Sequence, residues 1–274
     1  MPTKRQRRAI KRLSNLRKQK GKFPELLSKI VEMSDIILEV LDARFIDETR
    51  NKEIEKLIKN KGKKILYVLN KADLVEKEKL KSLDEIKPYV FVSAIKRTGG
   101  KELRDKIKIL SKSIERSDAL GRFSVGVIGY PNTGKSSIIN LLIGKNSAKT
   151  GAAAGFTKGI QKLKLTNEIV LIDSPGVIPA KEYSDFDQKK ISQHAMVGAR
   201  DYHKIKDPEI VVSYLVQEHK SAFENFYEIE FTDSEDLIEK LGRKKNFFKK
   251  GGVVNTDRTA REIIKEWQEG KIRI

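Results

Sequence analysis

Eight consecutive residues, Gly129-Tyr-Pro-Asn-Thr-Gly-Lys-Ser136, carry two glycines, a lysine and a hydroxyl at the spacing that wraps a phosphate chain. The glycines let backbone N–H groups, including those of Thr133 and Gly134, close around phosphate oxygens. A helix opening there adds its positive end. Lys135 can reach the β- and γ-phosphates and the Ser136 hydroxyl can ligate Mg²⁺, with Ser137 continuing the same turn. A second group, Asp173-Ser-Pro-Gly176, offers a carboxylate to the Mg²⁺ shell and the Gly176 N–H to the γ-phosphate, although Asp-x-x-Gly alone is a common turn. Asn70-Lys-Ala-Asp73 discriminates among bases. The Asp73 carboxylate can accept from N1–H and the 2-amino group of guanine, and adenine offers neither donor there. A buried carboxylate left without them is costly, so ATP is rejected. Asn70 would brace the loop and the base, the Lys71 stem would cover the ring, and Ser93-Ala94 would offer the Ala94 N–H to guanine O6. Thr157, in Gly155-Phe-Thr157, is the candidate switch threonine that closes on Mg²⁺ and the γ-phosphate. Together these types imply GTP or GDP with Mg²⁺ as ligands.

Such groups need strand ends and helix starts to hold them. Asp35 to Asp42, Lys64 to Leu69, Tyr89 to Val92, Phe123 to Ile128 and Glu168 to Ile172 read as buried strands. Helical periodicity separates most of them: Phe23 to Val31, 51–61, 76–86, Leu103 to Ile114, and the stretch with Ile138, Ile139, Leu141 and Leu142. Ile160 to Leu165 alternates like an edge strand. Strands alternating with helices mean a doubly wound α/β fold with a largely parallel sheet. Beyond Gly176 the strand signals stop. Helices are expected at Ile210 to Glu218, at Ser234 to Leu241 with Gly242 as its stop, and after Thr256 as N-cap, with Ile263, Ile264 and Trp267 as the last apolar stripe. The three histidines read as structural or surface residues.

The nucleotide motifs occur in a permuted order. The base-reading Asn-Lys-Ala-Asp and Ser-Ala come first; the phosphate loop, the threonine and Asp-Ser-Pro-Gly follow. With Asp42-Ala43-Arg44 after the first strand, the chain resembles the circularly permuted ribosome-assembly GTPases of the YlqF/YawG family over about residues 23 to 180. The tail Asp257-Arg-Thr-Ala-Arg-Glu-Ile-Ile264 and Gly270-Lys-Ile272 is similar to that family's C-terminal helical domain, with lower specificity. The resemblance implies a circularly permuted P-loop GTPase domain at 23–183, a helical RNA-binding domain at 184–274 and a basic extension at 1–22. It also implies GTP hydrolysis gating a step of large ribosomal subunit maturation, with ribosomal RNA and the subunit precursor as partners and a monomer off the ribosome. Asn132 would ligate K⁺ against the phosphates, the alternative being that it only caps its own loop by a local hydrogen bond. Val177 occupies the place where Ras-like enzymes carry a water-orienting Gln, so intrinsic hydrolysis should be slow, with K⁺ and ribosomal particles as stimulants.

Charge points the same way. The net charge is +19, and residues 1 to 22 hold ten Lys or Arg and no acid, a field that attracts polyanions. Arg243-Lys-Lys-Asn-Phe-Phe-Lys-Lys250 reads either as an RNA-contacting loop or as a solvated face with two Phe tucked into the core. The absence of Cys excludes disulfides and thiolate metal sites, and no apolar stretch reaches the roughly 18 residues a membrane span needs. A soluble, cytoplasmic protein is expected, and the Cys-free composition rich in Lys, Glu and Ile suits an archaeal or thermophilic source. A constitutive RNA-binding scaffold with a structural nucleotide site, or a membrane-surface signalling GTPase, are the alternatives.

Overall fold

The computed structural model describes residues 25–76, 83–114, 121–144, 161–176, 178 and 187–274. Thr157, Val177 and the basic segment 1–22 lie outside them. A helix over 25–33 (α1) leads into β1 (Ile36–Asp42), followed by α2 (Ile46–Thr49), α3 (Lys52–Asn60), β2 (Lys64–Asn70), β3 (Tyr89–Phe91) and α4 (Gly100–Lys112). After these come β4 (Phe123–Ile128), α5 (Lys135–Ile143), β5 (Gln161–Lys164) and β6 (Ile169–Asp173). The strands form one sheet in the order β3-β2-β1-β4-β6-β5, parallel except for the edge strand β5.

The period of two along β1 builds a core on each face. Ile36, Leu38 and Val40 join Leu103 and Ile107 of α4 and Ile138 and Ile139 of α5. Ile37 meets Leu27, Ile30 and Val31 of α1 and Ile54 and Ile58 of α3 on the other face. Parallel strands covered on both sides by helices put all their carboxyl ends on one edge, where α/β sheets bind ligands.

The remaining helices, α6 (Gln188–Met196), α7 (Pro208–Tyr227), α8 (Ser234–Lys244) and α9 (Thr256–Gln268), gather around Trp267, which is fully buried. Its ring lies 5.5 Å from Phe223 and 5.0 Å from His219. Several boundaries differ from expectation. The helix at Ile210 continues past Glu218 to Tyr227 because Phe223 and Tyr227 extend its buried stripe; its backbone departs from helical geometry at His219. Gly242 does not stop α8. It is buried inside the helix, where a Cβ would lie 2.3 Å from Val254 Cγ1, so it is small for packing. The N-cap of α9 is Asn255, whose side chain accepts from Arg258 N–H, one residue before the expected Thr256. Around 76–86 the described part is a short 3₁₀ turn at Asp84–Ile86. Sequence periodicity did not flag α6 at all.

One group in the domain core sets a pH dependence. Glu39, in the middle of β1, is completely buried; one carboxyl oxygen accepts from Asn51 N–H at 2.8 Å and the other has no partner. Burial pushes its pKa up from 4.5 to about 8, and the Glu55 carboxylate adds to this. The nearby Arg50 guanidinium helps little because Glu55 engages it twice, at 2.9 Å each. Between pH 4.5 and about 8 the folded chain holds a proton that the unfolded chain has lost, so stability falls as pH rises through that window. Glu39→Gln, the neutral isostere, should leave the thermal midpoint nearly unchanged at pH 5 and raise it by about 10 °C at pH 8, the equivalent of ~4 kcal/mol at about 2–4 °C per kcal/mol. Parallel midpoint curves for the two proteins from pH 5 to 8 would show that Glu39 ionises freely.

Candidate functional site

Five loops converge at the carboxyl edge of the sheet. The loop between β4 and α5 carries Gly129 to Lys135, and α5 begins at Lys135 with Gly134 in the left-handed conformation before it. The Lys135 ammonium is buried beneath its own loop, donating to the carbonyls of Gly129 at 3.0 Å and Tyr130 at 2.5 Å. Burial pushes its pKa down to about 8, with Asp173 opposing. Asp173, at the end of β6, is also buried, and burial raises its pKa against the pull of Lys135. One of its carboxyl oxygens lies 3.5 Å from the Ser136 hydroxyl; the other has no hydrogen-bond partner. An orphaned carboxylate oxygen beside a hydroxyl, at a helix start that favours anions, fits a hard cation shared with phosphate oxygens.

The base-reading loop is tied to this one. Asn70 ends β2, and its side-chain amide donates to Thr133 O at 2.8 Å while its oxygen accepts from Ala94 N–H at 3.2 Å. One buried side chain therefore fastens the three loops carrying Asn70, Thr133 and Ala94. Ser93 is buried, its hydroxyl accepting from Lys96 N–H at 3.0 Å, and it turns the loop after β3. Asn70, Lys71, Asp73, Ala94, Asn132, Gly134 and Ser137 line one cleft of about 490 Å³. An arrangement of this kind can hold a purine at the Asp73 end and phosphates at the end lined by Asn132, Gly134 and Ser137.

Comparison with known proteins agrees with this geometry. A family model described as 50S ribosome-binding GTPase matches residues 124–247. The chain is 42% identical over 264 residues to MJ1464, an uncharacterized GTP-binding protein of Methanocaldococcus jannaschii, covering 94% of this chain and 68% of that one. It is 30% identical to the GTPase grn1 of Schizosaccharomyces pombe, over 91% of this chain and 60% of the relative. The structure superposes on GNP-bound YlqF from T. maritima with a TM-score of 0.65 at 26% identity, covering 92% of this chain and 95% of that chain. This chain belongs to the circularly permuted GTPases of the YlqF/YawG family. It spans between about half and two thirds of the length of the curated relatives it matches.

Within this permuted GTPase framework, three features of the site go beyond what the nucleotide motifs themselves specify. Asp42, at the end of β1, is fully buried and paired with Lys71 at 2.7 Å and Arg44 at 2.8 Å. Burial alone would raise its pKa, but the two cations hold it well below the usual carboxylate range. This pair locks Lys71, whose backbone is left-handed, in the base-reading loop, while Arg44 also donates to Trp267 O at 3.2 Å. Only an acid closing a buried strand two residues before an Arg hints at it. Tyr130 of the phosphate loop is buried in the core of the helical region, and the Asn132 amide donates to Gly198 O at 2.7 Å. The nucleotide loop is thus anchored to both halves of the chain. Among the described residues, no helix is long and apolar enough to cross a membrane.

Proposed function

We propose that this protein binds GTP, hydrolyses it slowly, and uses the difference between its nucleotide states to gate a step of large ribosomal subunit assembly through ribosomal RNA. The observation that carries the reading is the Asn70 strut: it joins the base-reading and phosphate loops of a permuted GTPase. Asp73 would select guanine, the Ala94 N–H, which Asn70 Oδ1 holds at 3.2 Å, would be shared with O6, and Lys135 would leave its carbonyl partners for the β- and γ-phosphates. Ser136 and Asp173 would hold Mg²⁺, which would neutralise phosphate charge, with Thr157 closing over the site and the Gly176 N–H donating to the γ-phosphate. Asn132 would hold K⁺ beside the transferring phosphoryl, where no arginine finger is provided by these motifs. Residues 23–183 would act as the GTPase domain and 184–274 as the RNA-binding one. GDP-bound and GNP-bound forms of YlqF support the guanine-nucleotide part of this reading, and the description of the matching family as a 50S ribosome-binding GTPase supports a large-subunit partner.

For RNA, the helical region offers the turn between α8 and α9. Lys249 N–H donates to Val253 O at 2.8 Å, and Phe248 and Val253 project from it, 41% and 65% exposed. Phe247 is half-buried with the Arg258 guanidinium 4.0 Å over its ring. Neither Phe lies in the core, and Lys249 and Lys250 directly follow the exposed one, a combination suited to stacking and phosphate contact.

Single-turnover hydrolysis in matched KCl and NaCl tests the catalytic half. KCl should be faster by about tenfold, the equivalent of ~1.4 kcal/mol off the barrier, and Asn132→Asp should change that ratio. Equal rates, alone and with large-subunit particles, would remove the cation step. Co-sedimentation with large-subunit particles should differ between a non-hydrolysable GTP analogue and GDP. Identical sedimentation in both and without nucleotide would leave a constitutive scaffold.

A further inference from the structure

The cleft that presents Asp73 and Ala94 on one side is walled on the other by the helical region, through Tyr202, Lys265, Gln268, Glu269, Gly270 and Arg273. Two of these are held by the backbone of another segment's carbonyls or by close packing. The Gln268 amide donates to Ala195 O at 2.8 Å and Arg200 O at 2.9 Å, next to Trp267, whose indole N–H donates to Met196 O. After α9 the chain turns at Gly270, with φ of 73°, and a Cβ there would lie 2.5 Å from Leu74 Cδ1. Leu74 directly follows Asp73, so the glycine lets the end of α9 abut the base-reading loop. Two residues later Ile272 is fully buried, which pins the segment at both ends and leaves the side chain of Arg273 outside the core. Arg273 makes no ion pair with another described residue. Lys265 is only loosely engaged, 3.6 Å from Glu262.

We propose that the end of α9 and the Gly270–Arg273 segment form the second wall of the nucleoside pocket, so that the base and ribose of a bound guanine nucleotide are clasped between the Asn70–Asp73 loop and Lys265 and Arg273. This rests on the GTP-binding reading above and adds a distinct contact to it. Lysine stems and a planar guanidinium can lie along a purine or ribose face while their charged ends stay in water. The base-reading loop is thereby joined to the helical region through the ligand itself. Because the contact is made at the nucleoside, GDP engages it as fully as GTP. Nucleotide occupancy then sets how firmly the helical region is held, and the γ-phosphate acts separately through the Asp173–Gly176 segment.

The test uses the full chain and the variants Lys265→Ala, Arg273→Ala and their double. Neither side chain is buried in the core, so thermal midpoints should be unchanged. Titration with GDP, a non-hydrolysable GTP analogue and inorganic pyrophosphate separates nucleoside from phosphate contacts. The double variant should lose about fivefold in affinity for both nucleotides alike, the scale of a partly exposed stacked cation, with pyrophosphate binding unchanged. In the unaltered chain, GDP should also slow amide exchange over 265–273, and pyrophosphate should not. Unchanged nucleotide affinities in the double variant, or an equal loss for pyrophosphate, would overturn the second wall while guanine-nucleotide binding by the unaltered chain stands. If the unaltered chain binds no guanine nucleotide, the GTPase reading itself fails.

Discussion

Asp73→Asn should turn a guanine-selective site into one that prefers xanthine nucleotides. The carboxylate presents only acceptors, matching N1–H and the 2-amino group of guanine. An amide replaces one acceptor by a donor, which xanthine's 2-oxo group satisfies and guanine's amino group opposes. Sites built to pair a specific hydrogen-bonding edge discriminate by up to about 10⁴–10⁵. Asp73 is half-buried in the middle of a 3₁₀ turn, so part of the mismatch is relieved by water and a reversal of at least about a hundredfold in the ratio of GTP to XTP affinity is expected. Asn70, which braces the loop from beneath, is untouched by the change, so the loop should keep its shape. Titration with GTP, XTP and ATP checks it. Similar curves for GTP and ATP in the unaltered chain, or an Asp73→Asn protein that still prefers GTP, would refute the role of Asp73.

Lys135→Met should separate binding from stability. The ammonium is buried, with its pKa pushed down to about 8 by burial, and its donors are spent on Gly129 and Tyr130 carbonyls. A lysine with a lowered folded pKa costs the fold stability wherever the unfolded chain holds the proton more tightly. That cost is complete at pH 7 and is relieved as pH rises from about 8 toward 10.5. Methionine keeps the stem's volume and removes the charge. Nucleotide triphosphate affinity should fall by at least about a hundredfold, since a charge-assisted contact to phosphate in a site shielded from water is lost. The thermal midpoint at pH 7 should hold or rise, and the rise in stability between pH 8 and 10.5 should shrink. A midpoint lowered by several degrees would mean that the two carbonyl hydrogen bonds outweigh the burial cost. Functional groups held at the expense of stability are common at binding sites, and Lys135 with the partnerless Asp173 oxygen is such a pair.

The chemistry of the site was legible in the chain because it is local. Gly129 to Ser136 is a strand-to-helix turn written in eight residues, and Asn70 to Asp73 closes a strand whose β-rich run is visible by itself. The alternation of strand and helix periods likewise marks a doubly wound sheet, since burial on both faces of β1 demands an uninterrupted apolar run. The order of the motifs was readable as well, being a property of the line of residues.

Contacts across long separations were not readable, since periodicity and turn chemistry report only a residue's immediate neighbours. Asn70 and Thr133 are 63 positions apart, and they meet only because the sheet order places β4 next to β1 and β1 next to β2. Gly242 carries the local signature of a helix stop, yet its helix runs on to Lys244, and the position is a glycine because Val254 and Thr259 pack where a side chain would stand. Tyr130 looks like a variable residue of a phosphate loop, but it is drawn into the core around Trp267. Placement of the end of α9 beside Asp73 is of the same kind. It depends on how the helices around Trp267 bury their stripes against Phe45 and Tyr130, a packing solution that exists only once both halves of the chain are assembled.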